Sequence, residues 1–297
     1  MPNLRVHIES AIWPQTYFST NSHGFRDDPV AVPKPGGIYR IVCIGGSTTV
    51  EGPYNALTYP NLLEEKLRRR FATDKIEVVN AGIYAGHTGT ALDRFDDFLA
   101  LDPDMVVVYN FYNELVRELD TLLEGESPLS WLPAGLQRAL NHSYAVRQWC
   151  GGWVMPADAS LRRVLRESTF QHIEAMRTRC AARGVRLAVC SFAAPDAAGM
   201  PACEKAYLDH LHFYASSWPF RVDGYAHAAG LFNEELKAYA HEHDVLYIHV
   251  AEQLQGGLQM FIDLCHLHLH GMDLKAKAIA RTIQYVQRDA IRERTGG

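Results

Sequence analysis

Short apolar runs alternate with helical stripes along most of the chain. Five runs rich in β-branched and other apolar residues have the composition of strands buried on both faces of a sheet; they are 41–44, 76–80, 105–109, 185–190 and 245–250. Apolar residues at helical spacing occupy the segments between and after them; these are 59–71, 91–99, 170–180, 232–243 and 273–292. A capping box at Ser168 and Gln171 predicts the start of the third helix. The alternation predicts an α/β protein, a three-layer α/β/α sandwich with a five-stranded parallel sheet.

Two stretches and the amino-terminal segment depart from this alternation. Residues 1–39 are polar and rich in turn formers, which predicts an irregular lead-in on the surface. Residues 40–297 are then one domain, interrupted by insertions at about 114–167 and about 193–230. The insertions either fill a secondary core or cover a site at the rim of the sheet, since they carry Trp131, Trp149, Trp153 and Trp218.

The first strand ends at a pair of glycines followed by a serine. Gly45 and Gly46 allow a sharp turn and leave room for a ligand, and Ser47 follows them ahead of a predicted helix. Parallel α/β sheets bind their ligands beyond the carboxyl ends of the strands. Ser47 is therefore a candidate nucleophile, with the alternative that Ser47 and Thr48 only cap the helix.

Composition narrows the possible functions. The chain has 297 residues, 47% of them apolar, which is enough for one sizeable core. A net charge of −5 without a basic stripe argues against a nucleic-acid partner. No apolar run approaches the roughly 20 residues of a membrane helix and the first residues lack a signal-peptide core, so we expect a cytoplasmic protein. Six cysteines without a CxxC motif predict buried free thiols.

Further polar residues follow the other strands and belong to the same predicted rim. Gly86 follows the second strand, Asn113 follows the third, and Asp263 lies three residues before His266 beyond the fifth. A serine, a histidine and a carboxylate are the parts of a nucleophilic acyl-transfer site. A glycine N–H and an asparagine amide, together with the Ser47 N–H, are suited to bind the oxyanion of a tetrahedral intermediate.

These segments resemble the sequence blocks of SGNH hydrolases, the GDSL esterase/lipase superfamily, in the family order over roughly residues 40–285. The family often has Asp at the position of Gly46 and usually has Asp at the position of Glu114. The resemblance implies a flavodoxin-like SGNH fold and assigns the site residues by block: nucleophile Ser47, base His266, orienting acid Asp263, and oxyanion donors Gly86 and Asn113.

The resemblance also implies an activity. It predicts a serine esterase that hydrolyses a small-molecule carboxylic ester through an acyl-enzyme, with a small or medium acyl group such as an O-acetyl group on a sugar or natural product. No metal or cofactor is implied, and the oligomeric state is not predicted. An acyltransferase, a thioesterase and a catalytically silent ligand-binding protein remain as alternatives. A nucleotide-binding module has little support, because the GxxxxGK[ST] and GxGxxG spacings are missing.

Several residues near the blocks have competing interpretations. Asn110 competes with Asn113 as oxyanion donor because it lies nearer the strand end. Glu114 is expected to position the Asn113 loop, and Glu51 to lie on a solvated surface or line the pocket. Three alternating histidines would suit a zinc site only on a strand, which is not expected there; they are His266, His268 and His270.

Overall fold

The computed structural model describes residues 1–8, 16–126, 131–141, 143, 146, 156–215 and 221–296. Its strands are β1 Arg5–Ile8, β2 Thr16–Ser19, β3 Tyr39–Gly45, β4 Ile76–Asn80, β5 Met105–Tyr109, β6 Arg186–Cys190 and β7 Leu246–Ile248. Its helices are α1 Ser47–Val50, α2 Tyr59–Phe71, α3 Thr88–Asp93, α4 Phe95–Leu99, α5 Tyr112–Glu126, α6 Ala134–Asn141, α7 Asp158–Leu165, α8 Gln171–Ala181, α9 Ala202–Ala215, α10 Val222–Glu242, α11 Leu269–Val286 and α12 Arg288–Thr295.

Five of the strands form one parallel sheet in the order β4-β3-β5-β6-β7. The register places Ile41 of β3 beside Val78 of β4 and Met105 of β5. Every residue of β3 and β5 is buried, as expected for strands covered on both faces. The predicted flavodoxin-like three-layer α/β/α fold is confirmed.

The strand order changes direction at β3, and this point sets the place of the site. The chain passes from β3 to β4 on one side and then returns to β5 on the other. Loops leaving β3 and β5 at their carboxyl ends therefore diverge and open a crevice between them. Ser47 lies just after the carboxyl end of β3 and Asn113 just after that of β5, so both residues lie at this crevice.

Two groups of helices flank the sheet. Helix α2 packs against α11 and β4, and it buries Tyr59, Leu63 and Leu67 at four-residue spacing. In the other group, α8 contacts α3, and α7 contacts both α5 and α10. The stripe on α2 is the one that its sequence pattern predicts, whereas α5 and α7 lie largely in a predicted insertion.

The third predicted helix begins earlier than its sequence predicts. Helix α7 runs through a π-helical turn, Arg166–Phe170, directly into α8. The Ser168 hydroxyl donates to Val164 O at 2.9 Å instead of capping a helix start. The capping-box prediction is wrong, because a serine inside a helix can satisfy its hydroxyl on the carbonyl four residues earlier.

The amino-terminal segment and the insertions are only partly irregular. Strands β1 and β2 form a separate two-stranded antiparallel sheet within the predicted lead-in. Helices α5, α6, α7 and α9 fall within the two predicted insertions, and Trp131 is 77% exposed. The division into one domain with two insertions stays a prediction, and three of its tryptophans lie outside the described residues: Trp149, Trp153 and Trp218.

Side chains bind three backbone groups on the outer edge of β4. Glu64 accepts a hydrogen bond from Val78 N at 2.8 Å, and Asp27 accepts one from Asn80 N at 2.7 Å. Arg68 Nε donates to the carbonyl of Ile76 at 2.8 Å. Burial raises the pKa of Asp27 to about 7 and raises the pKa of Glu64 as well.

Two expectations from composition concern membrane-spanning helices and free cysteines. Among the described residues, no helix combines the length and apolar character needed to cross a bilayer. Every cysteine in the described part of the chain is a free thiol, buried except for Cys203; these are Cys43, Cys180, Cys190, Cys203 and Cys265. Cys150 lies outside the described residues.

Candidate active site

Ser47 stands at the end of β3 as the first residue of α1. The two glycines before it are required by close neighbours. A Cβ atom on Gly45 would lie 2.2 Å from Tyr109 O, and one on Gly46 would lie 2.6 Å from Asn113 Nδ2 and 2.8 Å from Gly86 O. A side chain at either position would push these atoms away from the turn, which gives a physical reason for glycine where the resembled family often has Asp.

Ser47, His266 and Asp263 form a hydrogen-bonded row. The Ser47 Oγ atom lies 2.9 Å from His266 Nε2, and His266 Nδ1 lies 2.7 Å from Asp263 Oδ2. Ser47 comes from the β3 end, whereas the other two come from the loop before α11. The fold thus joins residues 219 positions apart in the sequence. This is the arrangement that a serine nucleophile and its general base require.

Asp263 is anchored by its own loop. Its Oδ1 atom accepts the backbone N–H groups of Cys265 and His266, each at 2.8 Å, which leaves Oδ2 for the imidazole. Burial by itself would raise the pKa of Asp263, but the imidazole charge and these hydrogen bonds hold the pKa well below its usual range. The carboxylate is therefore ionised at neutral pH.

The pKa of His266 is shifted in the opposite direction. Burial by itself would lower this pKa, but the Cys265 sulfur and the Asp263 carboxylate, both close to Nδ1, raise the pKa well above its ordinary value. Asp263 thereby stabilises a protonated imidazole. A histidine in this environment can accept a proton from Ser47 and hold it.

Asn113 and Asn110 both bind the loop that carries Gly86. Asn113 Nδ2 donates to Gly86 O at 2.7 Å, and Asn110 Nδ2 donates to the same oxygen at 3.1 Å. An amide nitrogen has two N–H groups, so Asn113 can donate to Gly86 O and to a second acceptor near Gly46. Asn110 turns its Oδ1 towards Gly46, 3.3 Å from the Cβ position there.

The Gly86 N–H, predicted to be an oxyanion donor, is used inside its own loop. It donates to Ile83 O at 2.8 Å in the turn that precedes α3. Ala85 in this turn has a φ of 56°, a left-handed conformation that is uncommon for a residue other than glycine. Gly86 therefore lies beside the site, while its donor role stays a prediction.

With this geometry known, the chain can be compared with other proteins. No protein-family model and no curated protein matches it. A G-D-S-L family protein from Desulfitobacterium hafniense, described as lipolytic, has a similar structure at 17% identity and a TM-score of 0.50, over 82% of this chain and 98% of that one. LAE5, an α/β hydrolase enzyme from the Lake Arreo metagenome, gives 18% identity and a TM-score of 0.50, over 82% and 94%. The chain has the GDSL fold.

Within this GDSL fold, Glu114 joins two of the loops at the site. Its buried carboxylate accepts hydrogen bonds from Thr88 N at 2.5 Å and Thr88 Oγ1 at 3.0 Å, and Thr169 donates to it at 3.3 Å. Burial raises the pKa of Glu114 to about 7. Glu114 follows Asn113 directly, so these bonds hold the Asn113 helix against the loop that carries Gly86 and Thr88.

Sequence reasoning missed an ion pair behind the contact between Ser47 and His266. Glu51, expected on a solvated surface or lining the pocket, is only 6% exposed, so the surface expectation is wrong. Its partner is the fully buried Lys275 of α11. The available signal was a lysine inside the apolar stripe of a helix, next to Met272 and Ala276.

Arg26 supports the segment that follows Ser47. This residue belongs to the amino-terminal lead-in, residues 1–39. Its guanidinium donates to Val50 O at 2.5 Å and to Gly52 O at 2.8 Å, at the end of α1. Arg26 is 3% exposed, and burial lowers its pKa to about 10. The lead-in therefore fixes the carboxyl end of the short helix that begins at Ser47.

The three alternating histidines do not form the strand-based metal site that was considered. His268 caps α11 and His270 lies in its first turn. In the described part of the chain, one group could hold a metal ion: Asp263, Cys265 and His266. Two of its ligand atoms are 2.7 Å apart, closer than the roughly 3.3 Å between ligands on one tetrahedral zinc ion. The spacing suits a hydrogen bond between Asp263 and His266 better than a shared ion.

Proposed function

We propose that this protein is a serine esterase that hydrolyses carboxylic esters with a small or medium acyl group. The proposal depends on one observation above all: Ser47 Oγ lies 2.9 Å from His266 Nε2, whose Nδ1 is bound to an ionised Asp263. The GDSL fold, shared with a protein described as lipolytic and with a hydrolase, supports the same reaction class.

The reaction follows from these three side chains. His266 Nε2 takes the Ser47 proton as Oγ attacks the ester carbonyl, and then gives that proton to the leaving alcohol. Water, activated by the same nitrogen, cleaves the acyl-enzyme and restores Ser47. Asp263 keeps Nδ1 protonated and stabilises the imidazolium that forms in each half of the cycle.

The developing oxyanion needs donors on the side of Ser47 away from His266. The Ser47 N–H and the Asn113 amide are the first two candidates, since the Asn113 nitrogen packs against Gly46. The Gly86 N–H is the third, and it would have to share or leave its bond to Ile83 O. A preorganised donor is worth about 3 kcal/mol of barrier.

A pair of asparagine variants tests the donor assignment. Asn113→Ala is expected to lower kcat by about 100- to 1000-fold with little change in KM, because the lost amide binds the transition state. Asn110→Ala removes only the longer bond to Gly86 O, so a smaller loss is expected. Steady-state kinetics on p-nitrophenyl acetate measure both. A larger loss from Asn110→Ala would transfer the donor role to Asn110.

A covalent probe tests the proposed function itself. A fluorophosphonate is expected to label the wild-type protein on Ser47, as mapped by peptide mass spectrometry, and His266→Ala is expected to abolish the labelling. The wild type is also expected to hydrolyse p-nitrophenyl acetate. A folded protein that shows neither reaction would instead be a silent ligand-binding protein.

Acyl transfer and thioester cleavage would use the same residues. Product analysis separates these reactions from hydrolysis. In the presence of an added alcohol or amine, a hydrolase releases the free acid, whereas a transferase forms the new ester or amide. A thioester of the same acyl group tests thioester cleavage.

A further inference from the structure

A buried ion pair lies directly behind the Ser47–His266 contact. The side chains of Lys275 and Glu51 are 0% and 2% exposed, with Nζ and Oε1 2.8 Å apart. Each partner makes a second contact with the backbone. Lys275 Nζ donates to Thr48 O at 2.8 Å, and Glu51 Oε2 accepts from Leu267 N at 2.9 Å.

These two backbone groups neighbour the reacting residues. Thr48 directly follows Ser47, and Leu267 directly follows His266. The pair therefore forms a continuous bridge from the nucleophile helix α1, through two side chains, to the histidine loop. Beside the Ser47–His266 bond itself, the bridge joins the same two segments by hydrogen bonds at 2.8, 2.8 and 2.9 Å.

The surroundings of Lys275 hold its ammonium group at a fixed place, where burial lowers the pKa of Lys275 and Glu51 opposes that lowering. Its Nζ atom lies 4.4 Å from the ring centroid of Tyr59 and 4.3 Å from that of Tyr109, and both rings are buried. Aromatic faces attract a cation, most strongly where water is excluded. Glu51, Thr48 O and the two rings therefore surround the ammonium group.

Stability alone is a poor explanation for such a pair. Taking two charges out of water costs several kcal/mol per ion, and apolar replacements of buried pairs are often neutral or stabilising. What an apolar pair could not supply is a directional link to Thr48 O and Leu267 N. The free-energy cost of burying Glu51 and Lys275 is therefore explained if the pair fixes the positions of Thr48 and Leu267.

We propose that Glu51 and Lys275 are positioning residues that hold Ser47 Oγ and His266 Nε2 at reacting distance. Neither residue touches the reacting atoms. Lys275 acts through the backbone of Thr48, and Glu51 acts through the backbone of Leu267. This inference rests on the proposed esterase function. It adds a residue pair that controls kcat without contributing to substrate binding.

The first test uses two single variants with p-nitrophenyl acetate as substrate. Glu51→Gln keeps an acceptor for Leu267 N but removes the charge, and Lys275→Met removes the donor to Thr48 O at similar length. Each is expected to lower kcat about 10- to 100-fold with KM within about twofold, because small misplacements of reacting groups carry costs of this size. The rate of fluorophosphonate labelling at Ser47 is expected to fall in parallel.

A matched control separates positioning from general destabilisation. Arg40 is another fully buried cation; it donates to Leu101 O and pairs with Glu77, but it lies at the start of β3, the end of the strand opposite Ser47. Arg40→Met is expected to lower the melting temperature while leaving kcat per folded molecule within about twofold. Melting curves of all variants establish that each is folded during the assay.

The double variant Glu51→Gln/Lys275→Met gives the decisive comparison. It removes both charges, so its melting temperature is expected to rise above that of Lys275→Met, in which Glu51 is left buried without its cation. Its kcat is expected to stay low, because Thr48 O still lacks its donor.

Two outcomes would overturn the positioning role while leaving the esterase proposal intact. In the first, the double variant Glu51→Gln/Lys275→Met has the kcat of the wild type. In the second, the single variants Glu51→Gln and Lys275→Met are folded and have the kcat of the wild type. A folded wild-type protein that neither hydrolyses the ester nor reacts at Ser47 would instead overturn the proposed function. If Lys275→Met does not fold, the Glu51→Gln and double variants still decide between these outcomes.

Discussion

Ser47→Ala is expected to lower kcat for p-nitrophenyl acetate by about a millionfold. Without Oγ no acyl-enzyme forms, and the row from Asp263 to His266 has no proton to move. Binding groups and oxyanion donors alone leave only a small residual rate. Stopped assays at high protein concentration, together with the loss of fluorophosphonate labelling, measure this result.

The fold is expected to tolerate the Ser47→Ala change. Alanine suits the first turn of a helix, and the variant loses one side-chain hydrogen bond, worth about 1 kcal/mol of unfolding free energy. Ser168→Ala is a matched control, since Ser168 also lies in a helix and bonds only a backbone carbonyl. If Ser47→Ala keeps activity while Ser168→Ala behaves like the wild type, the nucleophile is another residue.

Asp263→Asn is expected to lower kcat by about 10,000-fold while leaving the loop in place. Two backbone N–H groups bind Oδ1, so the amide oxygen of the replacement is held at that position. The amide nitrogen then faces His266 Nδ1 and donates to it. The imidazole must carry its proton on Nε2 instead, where it can no longer accept the Ser47 proton.

The same substitution is expected to lower the pKa of His266. In the wild type, activity depends on neutral His266, so it should fall as the pH drops through a pKa that Asp263 helps to hold above the ordinary value. Without the carboxylate, one of the two groups that raise this pKa is lost, and the lowering by burial is opposed by Cys265 alone. Titration of the His266 ring by NMR measures the shift without requiring activity.

A second aspartate–histidine pair serves as the control for Asp263→Asn. Asp158 and His227 lie 2.8 Å apart with half-exposed side chains, on helices α7 and α10. Asp158→Asn is expected to leave kcat unchanged. A similar loss of kcat from both substitutions would show that the effect of Asp263→Asn is not specific to the site.

Much of the fold could be predicted from local patterns. The strand at 105–109 was predicted at its observed bounds, because a fully apolar run bounded by Asp104 and Asn110 has few other interpretations. Helix α8 shows the limit of the method. Ser168 and Gln171 fit a capping box, yet tertiary packing carries the preceding helix through them. A local signal cannot tell whether the chain before it is already helical.

In the site, too, some residues could be predicted from local sequence patterns, whereas others depend on contacts between distant segments. The block around Ser47 was recognisable because it directly follows a strand end, and the block around His266 was recognisable because Asp263 lies three residues before the histidine. The Glu51–Lys275 pair was not, because its members are 224 positions apart and only the packing of α11 on α2 brings them together. The bond from Gly86 N to Ile83 O is also beyond prediction, since it depends on the exact path of one turn.

The side chains along the outer edge of β4 restrict how two copies of the protein can associate. Val78 N and Asn80 N are bound to carboxylates and Ile76 O is bound to Arg68, so three backbone groups of that edge already have partners. A neighbouring molecule would have to displace these partners before its own strand could hydrogen-bond there. Growth of an intermolecular β-sheet, the first step towards ordered aggregates, is therefore opposed at this side of the molecule.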